Sequence, residues 1–374
     1  MKKLIVLLAF FVLLFGCTTP IQNSKTAESQ EIKLGVILFL TENDLTYLAQ
    51  AIQQGIDIAV EEANSQGGIL GKKIHVIYED DQLNPNKAVT AAHKLVDLDK
   101  VDLGFIGVVN TGKAVAPIFN NAKIPLIMIW DAKTREVGLE NLPYLFSVGY
   151  STKGAGENMA TYASEKLGIK NVAVIYQPDE WSQHISRAFI EKFKQQQNGN
   201  VLLDDQVNLE TTDFRTAILK ANNADAIYFP FVAHGDLFFK QARELGYKGI
   251  LMTGDSMTDQ IITDSAGAAE NVYFTQPYDS DTSKMKILKE AYKKKYGKET
   301  DLPVFVALGY DAAHLGLEGI KTAGTLDSEA IKNQLSQTKN LEGALAPITI
   351  DDFGSSTKLE QVFFVKDKKM ILAQ

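Results

Sequence analysis

The chain has 374 residues, 45% of them hydrophobic and 22% charged, which suits two lobes of ordinary size rather than one small domain. A formal net charge of −8 lacks the basic footprint of a nucleic-acid binder, so no nucleic-acid partner is expected. One cysteine, Cys17, excludes an intrachain disulfide and a cysteine-based zinc site.

The first predicted element is an export signal, Met1 to Cys17. Lys2 and Lys3 supply its positive start, and Leu4 to Phe15 is an unbroken apolar stretch too short to span a bilayer. Removing this leader leaves 36 basic against 46 acidic residues, a net −10. The segment ends in Leu14-Phe15-Gly16-Cys17, which resembles the lipobox of bacterial lipoproteins, with Phe15 where a small residue is usual. The resemblance implies acylation of Cys17 and a protein anchored to the membrane by lipid only, facing the periplasm or the cell exterior. One acyl chain holds a protein marginally, so a stable anchor takes more than one, as lipoprotein maturation supplies. Thr18 to Glu31 is polar, has too little apolar surface to fold, and reads as a tether.

Strands and helices then alternate. Ile32 to Phe39 is an apolar, β-rich run, and Leu48, Ile52, Ile56, Ala59, Val60 and Ala63 follow at helical spacing. Gly67-Gly68 ends that helix, since glycine suits the left-handed cap. Ile74 to Tyr78 is the next strand. Asn84-Pro85 starts a helix, with Asn as cap and Pro at its first position. Leu103 to Ile106 and Pro125 to Ile129 are short strands around a helix near Ala114 to Asn121. Tyr144 to Ser151 reads as a connector, after which the pattern repeats. Val172 to Tyr176, Val201 to Val207, Ala226 to Phe229 and Ile250 to Thr253 read as strands. Ser182 to Gln197 and Asp236 to Gly246 are the clearest helices between them.

Tyr273 to Pro277 closes this second block. Three helices follow, around Ser283 to Tyr296, Pro303 to Thr322 and Asp327 to Gln337. Ile348 to Ile350, Gln361 to Val365 and Met370 to Leu372 read as short tail strands. The basic run Lys293-Lys294-Lys295 reads as a solvated helix face. Alternation of this kind predicts an α/β fold of two doubly wound, parallel-sheet lobes. The late helices have no sheet of their own, so the chain crosses between lobes more than once. The expected division is 1–17 leader, 18–31 tether, 32–148 with 278–338 as one lobe, and 149–277 with 339–374 as the other.

The segment Asn64-Ser65-Gln66-Gly67-Gly68-Ile69-Leu70-Gly71-Lys72 is followed by a strand, by Glu79-Asp80-Asp81, and by Pro85 opening an alanine-rich helix with Ala88, Ala91, Ala92 and Leu95. Together with the later order Val172 to Tyr176, Trp181 and Gly254-Asp255, this resembles the Leu/Ile/Val-binding protein family over roughly residues 32 to 366. These are the type I periplasmic solute-binding proteins that serve ABC transporters. The resemblance implies a multi-strand hinge, a small polar ligand such as an amino acid or amine, an ABC permease as partner, and no cofactor.

It also implies site residues. In the loop Gly107 to Gly112, Thr111 stands where the family holds a ligand carboxylate with a hydroxyl and a helix N-terminus, which favours an anion. Its plainer role would be to cap its own helix. The family loop of Ser-Pro-x-Ala-Thr type is here Trp130-Asp131-Ala132-Lys133-Thr134; Trp130 narrows the pocket and Asp131 adds a carboxylate. Trp130 could equally pack against a neighbouring loop. Trp181 stands where an aromatic covers the ligand. Phe231 and Tyr47 fall near other family contacts. Asp255 stands where an acid pairs with the ligand's ammonium, and its plainer role would be an N-cap. Two acids, Asp131 and Asp255, lean toward an amine-bearing ligand.

Two other functions compete. An enzyme is disfavoured, because no nucleophile elbow, phosphate loop or dinucleotide turn is present, and Gly154-Ala155-Gly156 lacks the third glycine. Asp80-Asp81 suits turn capping better than acid–base work. The five histidines never stand four apart, so no metalloprotease helix exists and no metal is expected. The other rival is a partner-binding lipoprotein of the same fold, a cell-wall synthase activator or sensor.

Overall fold

A computed structural model of the protein describes residues 31–42, 45–130, 133–197, 199–276, 282–357 and 360–373. Cys17, the leader, the tether as far as Gln30, and Asp131 lie outside the described residues. The apolar run after Glu31 forms β1 (Glu31–Leu38), and Ile32, Leu34, Val36, Ile37 and Leu38 are all fully buried. Burial on both sides explains why the strand reads as continuous rather than alternating, as parallel strands covered on two faces do. With β2 (Lys73–Asp80), β3 (Leu103–Ile106), β4 (Leu126–Met128) and β5 (Leu145–Ser147) it builds a parallel sheet in the order β2-β1-β3-β4-β5.

The second sheet holds β6 (Asn171–Tyr176), β7 (Asn200–Gln206), β8 (Ala226–Tyr228), β9 (Ile250–Thr253) and β10 (Val272–Gln276), all parallel to their neighbours. The hairpin of β11 (Gln361–Lys366) and β12 (Lys369–Leu372) adds antiparallel to its edge, giving the order β12-β11-β10-β9-β8-β6-β7.

Helices connect the strands. The first lobe carries α1 (Thr46–Ser65), α2 (Pro85–His93) and α3 (Val109–Asn121). The second carries α4 (Thr152–Glu165), α5 (Glu180–Gln195), α6 (Arg215–Lys220), α7 (Gly235–Glu244) and α8 (Asp259–Asp264). The expected cap of α2 is present, since Asn84 Oδ1 accepts from the Asn86 and Lys87 N–H groups at 2.9 and 3.3 Å. Gly67 and Gly68 leave α1 with φ of +101° and +83°, the left-handed region glycine tolerates.

The late helices α9 (Ser283–Tyr296), α10 (Pro303–Ala323) and α11 (Ser328–Ser336) return to the first lobe. Met285, Leu288, Tyr292, Val306, Leu308, Ile320 and Leu335 share one core with Ile52 and Ile56 of α1 and with β1. Ala344, Leu345, Ile348 and Ile350 join the same core. The third crossing between lobes therefore follows Ile350, later than the expected boundary after residue 338. Ile348 to Ile350 forms isolated bridges, Leu341 with Ile348 and Ile350 with Ser356, instead of the expected strand.

The connector expected from Tyr144 to Ser151 also differs. Its three buried residues Leu145, Phe146 and Ser147 pair with β4 and become β5. The third crossing runs beside it: Ser147 N donates to Gly354 O at 2.9 Å, and Ser356 N donates to Ser147 O at 2.8 Å. Among the described residues no helix is long and apolar enough to cross a membrane.

Candidate functional site

Ligands of open α/β sheets bind beyond the carboxyl ends of the strands, where the strand order reverses. In the first sheet that point lies between β1 and β3, and in the second between β6 and β8. Helix α3 begins directly after β3. Its first residue is Val109 and its cap is Val108, with no side-chain hydrogen bond. Thr111 is therefore the third residue of the helix and does not cap it. It is fully buried, and its Oγ1 makes no hydrogen bond. The buried Asp81 carboxyl is its neighbour. Burial pushes that acid up, while the nearby Thr111 hydroxyl and the Leu83 N–H pull it back.

Trp130 follows β4. Its ring stacks at 6.4 Å from Phe39 at the end of β1 and stands edge-on to Phe305 of α10 at 4.8 Å. Its Nε1–H donates to the Tyr150 hydroxyl at 3.1 Å. It is thus largely a packing residue whose indole N–H reaches toward the first crossing. Tyr150, on that crossing, is almost fully buried and faces the Asp255 carboxyl from the other side. Asp255 follows β9. Trp181, the second residue of α5, lies against Gly254: a Cβ added there would come within 3.1 Å of the indole ring. The row Trp130, Tyr150, Asp255 and Trp181 runs from the first lobe, across a crossing, into the second. Lys113 Nζ of α3 stands 3.7 Å from Glu180 Oε1 of α5 on the same side.

Asp255 is the electrostatic centre of this row. Thr258, and not Asp255, caps α8, with its Oγ1 accepting from Ile261 N at 3.2 Å. Burial pushes Asp255 up to about 6, against the Tyr150 hydroxyl, its own N–H and the Trp181 indole, which favour the ionised form. Its Oδ1 is shielded from water and has no hydrogen-bond partner.

Other expected contacts lie elsewhere. Phe231 is 2% exposed and belongs to the second lobe's core, with its ring 5.9 Å from Phe229 and 5.7 Å from Phe239. Its loop is tied down by the buried Gln177, whose Oε1 accepts from the Val232 and Ala233 N–H groups at 2.7 and 3.1 Å. Tyr47 is 52% exposed on the first turn of α1. The Thr134 hydroxyl is committed to Phe353 O at 2.5 Å and to Ser355 Oγ at 2.9 Å. Sequence reasoning missed Tyr150 and Gln177. Tyr150 was legible only as part of a connector between lobes, and Gln177 only as the residue after a strand.

The sequence profile described as "Periplasmic binding protein" matches residues 31–365. The chain belongs to the periplasmic binding protein family. This periplasmic binding protein is 28% identical to the Leu/Ile/Val-binding protein homolog 7 of Brucella abortus (strain 2308), over 84% of this chain and 83% of that protein. It is 27% identical to the Leu/Ile/Val-binding protein of Escherichia coli (strain K12), over 91% of this chain and 92% of that one. Among solved structures it resembles the leucine-binding protein LivK of Thermotoga maritima MSB8, with TM-score 0.76 and 28% identity over 92% of this chain and 98% of that chain. It also resembles LivJ of Streptococcus pneumoniae, solved with isoleucine, with TM-score 0.77 and 27% identity over 92% of this chain and 99% of that chain. These relatives of the periplasmic binding protein are solute-binding proteins and not enzymes, and the family is exported.

Proposed function

We propose that this binding protein is lipid-anchored through Cys17 and delivers an amino acid or a related amine-bearing solute to an ABC permease. The observation that carries the solute class is Asp255: a shielded, unpartnered carboxylate oxygen beside an indole and a tyrosine. A protonated amine satisfies that oxygen and favours the ionised state, which an anion cannot do. The buried Thr111 hydroxyl, on the first turn of α3, suits the carboxylate of the same ligand. Trp181 supplies an apolar wall, and Asp131 belongs to the same proposed site. The two lobes would close on the solute by bending at their three crossings. Amino acid is the class supported, with no preference for leucine over another member.

Thermal denaturation against a library of amino acids and amines tests this. A solute held at 100 times its Kd adds about 2.7 kcal/mol of stability. A flat response to every compound sinks the solute function. It would favour the partner-binding lipoprotein, for which the commitment of Thr134 and Phe231 to internal contacts speaks.

A further inference from the structure

Glu360 stands where the third crossing re-enters the second sheet, one residue before β11. It is 6% exposed. Its Oε1 accepts the Ser151 N–H at 2.5 Å, and its own carbonyl accepts Asn158 Nδ2–H at 3.0 Å. Its Oε2 lies so close to α4 that a Cβ on Gly154 would be 2.7 Å away. Ser151 is the cap of α4, the first helix after the first crossing. Its Oγ accepts from Gly154 N at 2.6 Å and donates to Glu136 Oε1.

Glu136 sits in a single 3-10 turn, Thr134–Val137, on the first-lobe side. That turn is pinned to the third crossing, because Thr134 N donates to Ser355 Oγ at 2.9 Å and Thr134 Oγ1 to Phe353 O. The turn, the first crossing and the third crossing therefore meet at one serine bracketed by two carboxylates. The other charged groups on these elements are Lys133, which acts on Glu360, Arg135, whose guanidinium lies 4.7 Å from the Phe353 ring centroid, and Lys153 and Glu157 of α4, which pair with each other at 3.6 Å.

Two carboxylates this close are costly to ionise together out of water, and the N-terminus of α4 offsets only part of that cost. Burial pushes Glu360 up to about 7; Lys133 and the Ser151 N–H work against that shift, and Glu136 adds to it. Any rotation of the lobes is taken up by the crossings. It must move Ser151, at the start of the second lobe, relative to Glu136, on the first. A bend that separated Ser151 from Glu136 would also expose Glu360 to water. Ionisation then favours the bent, hydrated arrangement, and protonation favours the one seen here.

We propose that Glu360, Ser151 and Glu136 form a proton-sensitive clasp that positions the lobes and sets how readily they close on a solute. This rests on the clamp function proposed above. The protein carries its own reporters: its two tryptophans, Trp130 and Trp181, stand on opposite lobes. Tryptophan emission and the radius of gyration by small-angle X-ray scattering are followed on the ligand-free protein from about pH 5.5 to about pH 8.5.

The wild type is expected to show one transition centred near 7, compact on the acid side. E360Q is expected to stay compact throughout. E136Q is expected to keep the transition with a lower midpoint, because the charge that raises Glu360 is gone; it carries the test should E360Q fail to fold. D255N is expected to keep the transition, which separates the clasp from Asp255. A flat wild-type profile, a transition that survives in E360Q, an unmoved midpoint in E136Q, or a loss confined to D255N each overturns the clasp. The two proposals fail separately: a protein that binds no library compound yet shows the E360Q-sensitive transition loses its solute function and keeps the clasp, and one that binds solute with a flat profile does the reverse.

Discussion

Asp255 Oδ1 and Thr111 Oγ1 are both buried polar atoms without a hydrogen bond, and such atoms normally cost stability. The folded-state acidity of Asp255 is displaced upward to about 6, above the ordinary value of a free aspartate. A raised acid is fully tolerated below the unfolded value, and its stabilising balance is lost as pH rises through the folded one. The ligand-free D255N protein should therefore be more stable than wild type at pH 8, by about 1–3 kcal/mol, and equal to it near pH 4. Chemical denaturation at the two pH values measures this, and the same variant should lose amine binding. Thr111→Val keeps the side-chain shape and removes the buried hydroxyl. Its stability should be unchanged within about 0.5 kcal/mol, while affinity for amino acids falls about tenfold or more and affinity for amines without a carboxylate is unaffected. Isothermal titration separates the two; a loss of stability instead of affinity would mean the hydroxyl is structural.

Helices α1 and α10 cross at reciprocal glycines. A Cβ on Gly55 would lie 1.8 Å from Val306 O, and one on Gly309 would lie 2.0 Å from Ile52 O. The backbones can approach this closely only without side chains, so Gly309→Ala must push the helices apart. The expected cost is about 1–3 kcal/mol or more in urea denaturation. By contrast, Asn84→Ala removes one cap at an exposed helix start and should cost about 1 kcal/mol. The basic run at the end of α9 behaves as its pattern implied: Lys293, Lys294 and Lys295 are exposed on the last turn, where cations suit the helix dipole, and Lys293 and Lys295 pair with Glu299 and Glu61. Helix and strand positions were legible here because period and capping are local. The three residues of β5 were not, because a strand that short shows itself only by what it pairs with.

At the scale of the whole molecule, the chain leaves the first lobe and returns to it, so residues far apart in sequence share one core. The proposed anchor belongs to this scale too. On the proposed lipidation, Cys17→Ala should move the protein from the membrane fraction to the soluble one on cell fractionation, without changing its solute affinity, because Cys17 precedes the compact unit Glu31–Gln374. Retention of the variant in the membrane fraction would refute lipidation at that residue.

Sequence alone determined the two parallel-sheet lobes and the return of the late helices, because each is written in contiguous hydrophobic patterns. Tyr47, Trp130, Trp181 and Asp255 could be named from resemblance, but their environments could not. Only the tertiary structure decided that Phe231 is core, that Thr134 is spoken for, and that Asp255 keeps one oxygen shielded and idle. The physical reason is that burial and pairing are supplied by distant partners. The Glu360 carboxylate meets the Ser151 N–H across 209 residues of chain, a distance over which no local pattern carries information.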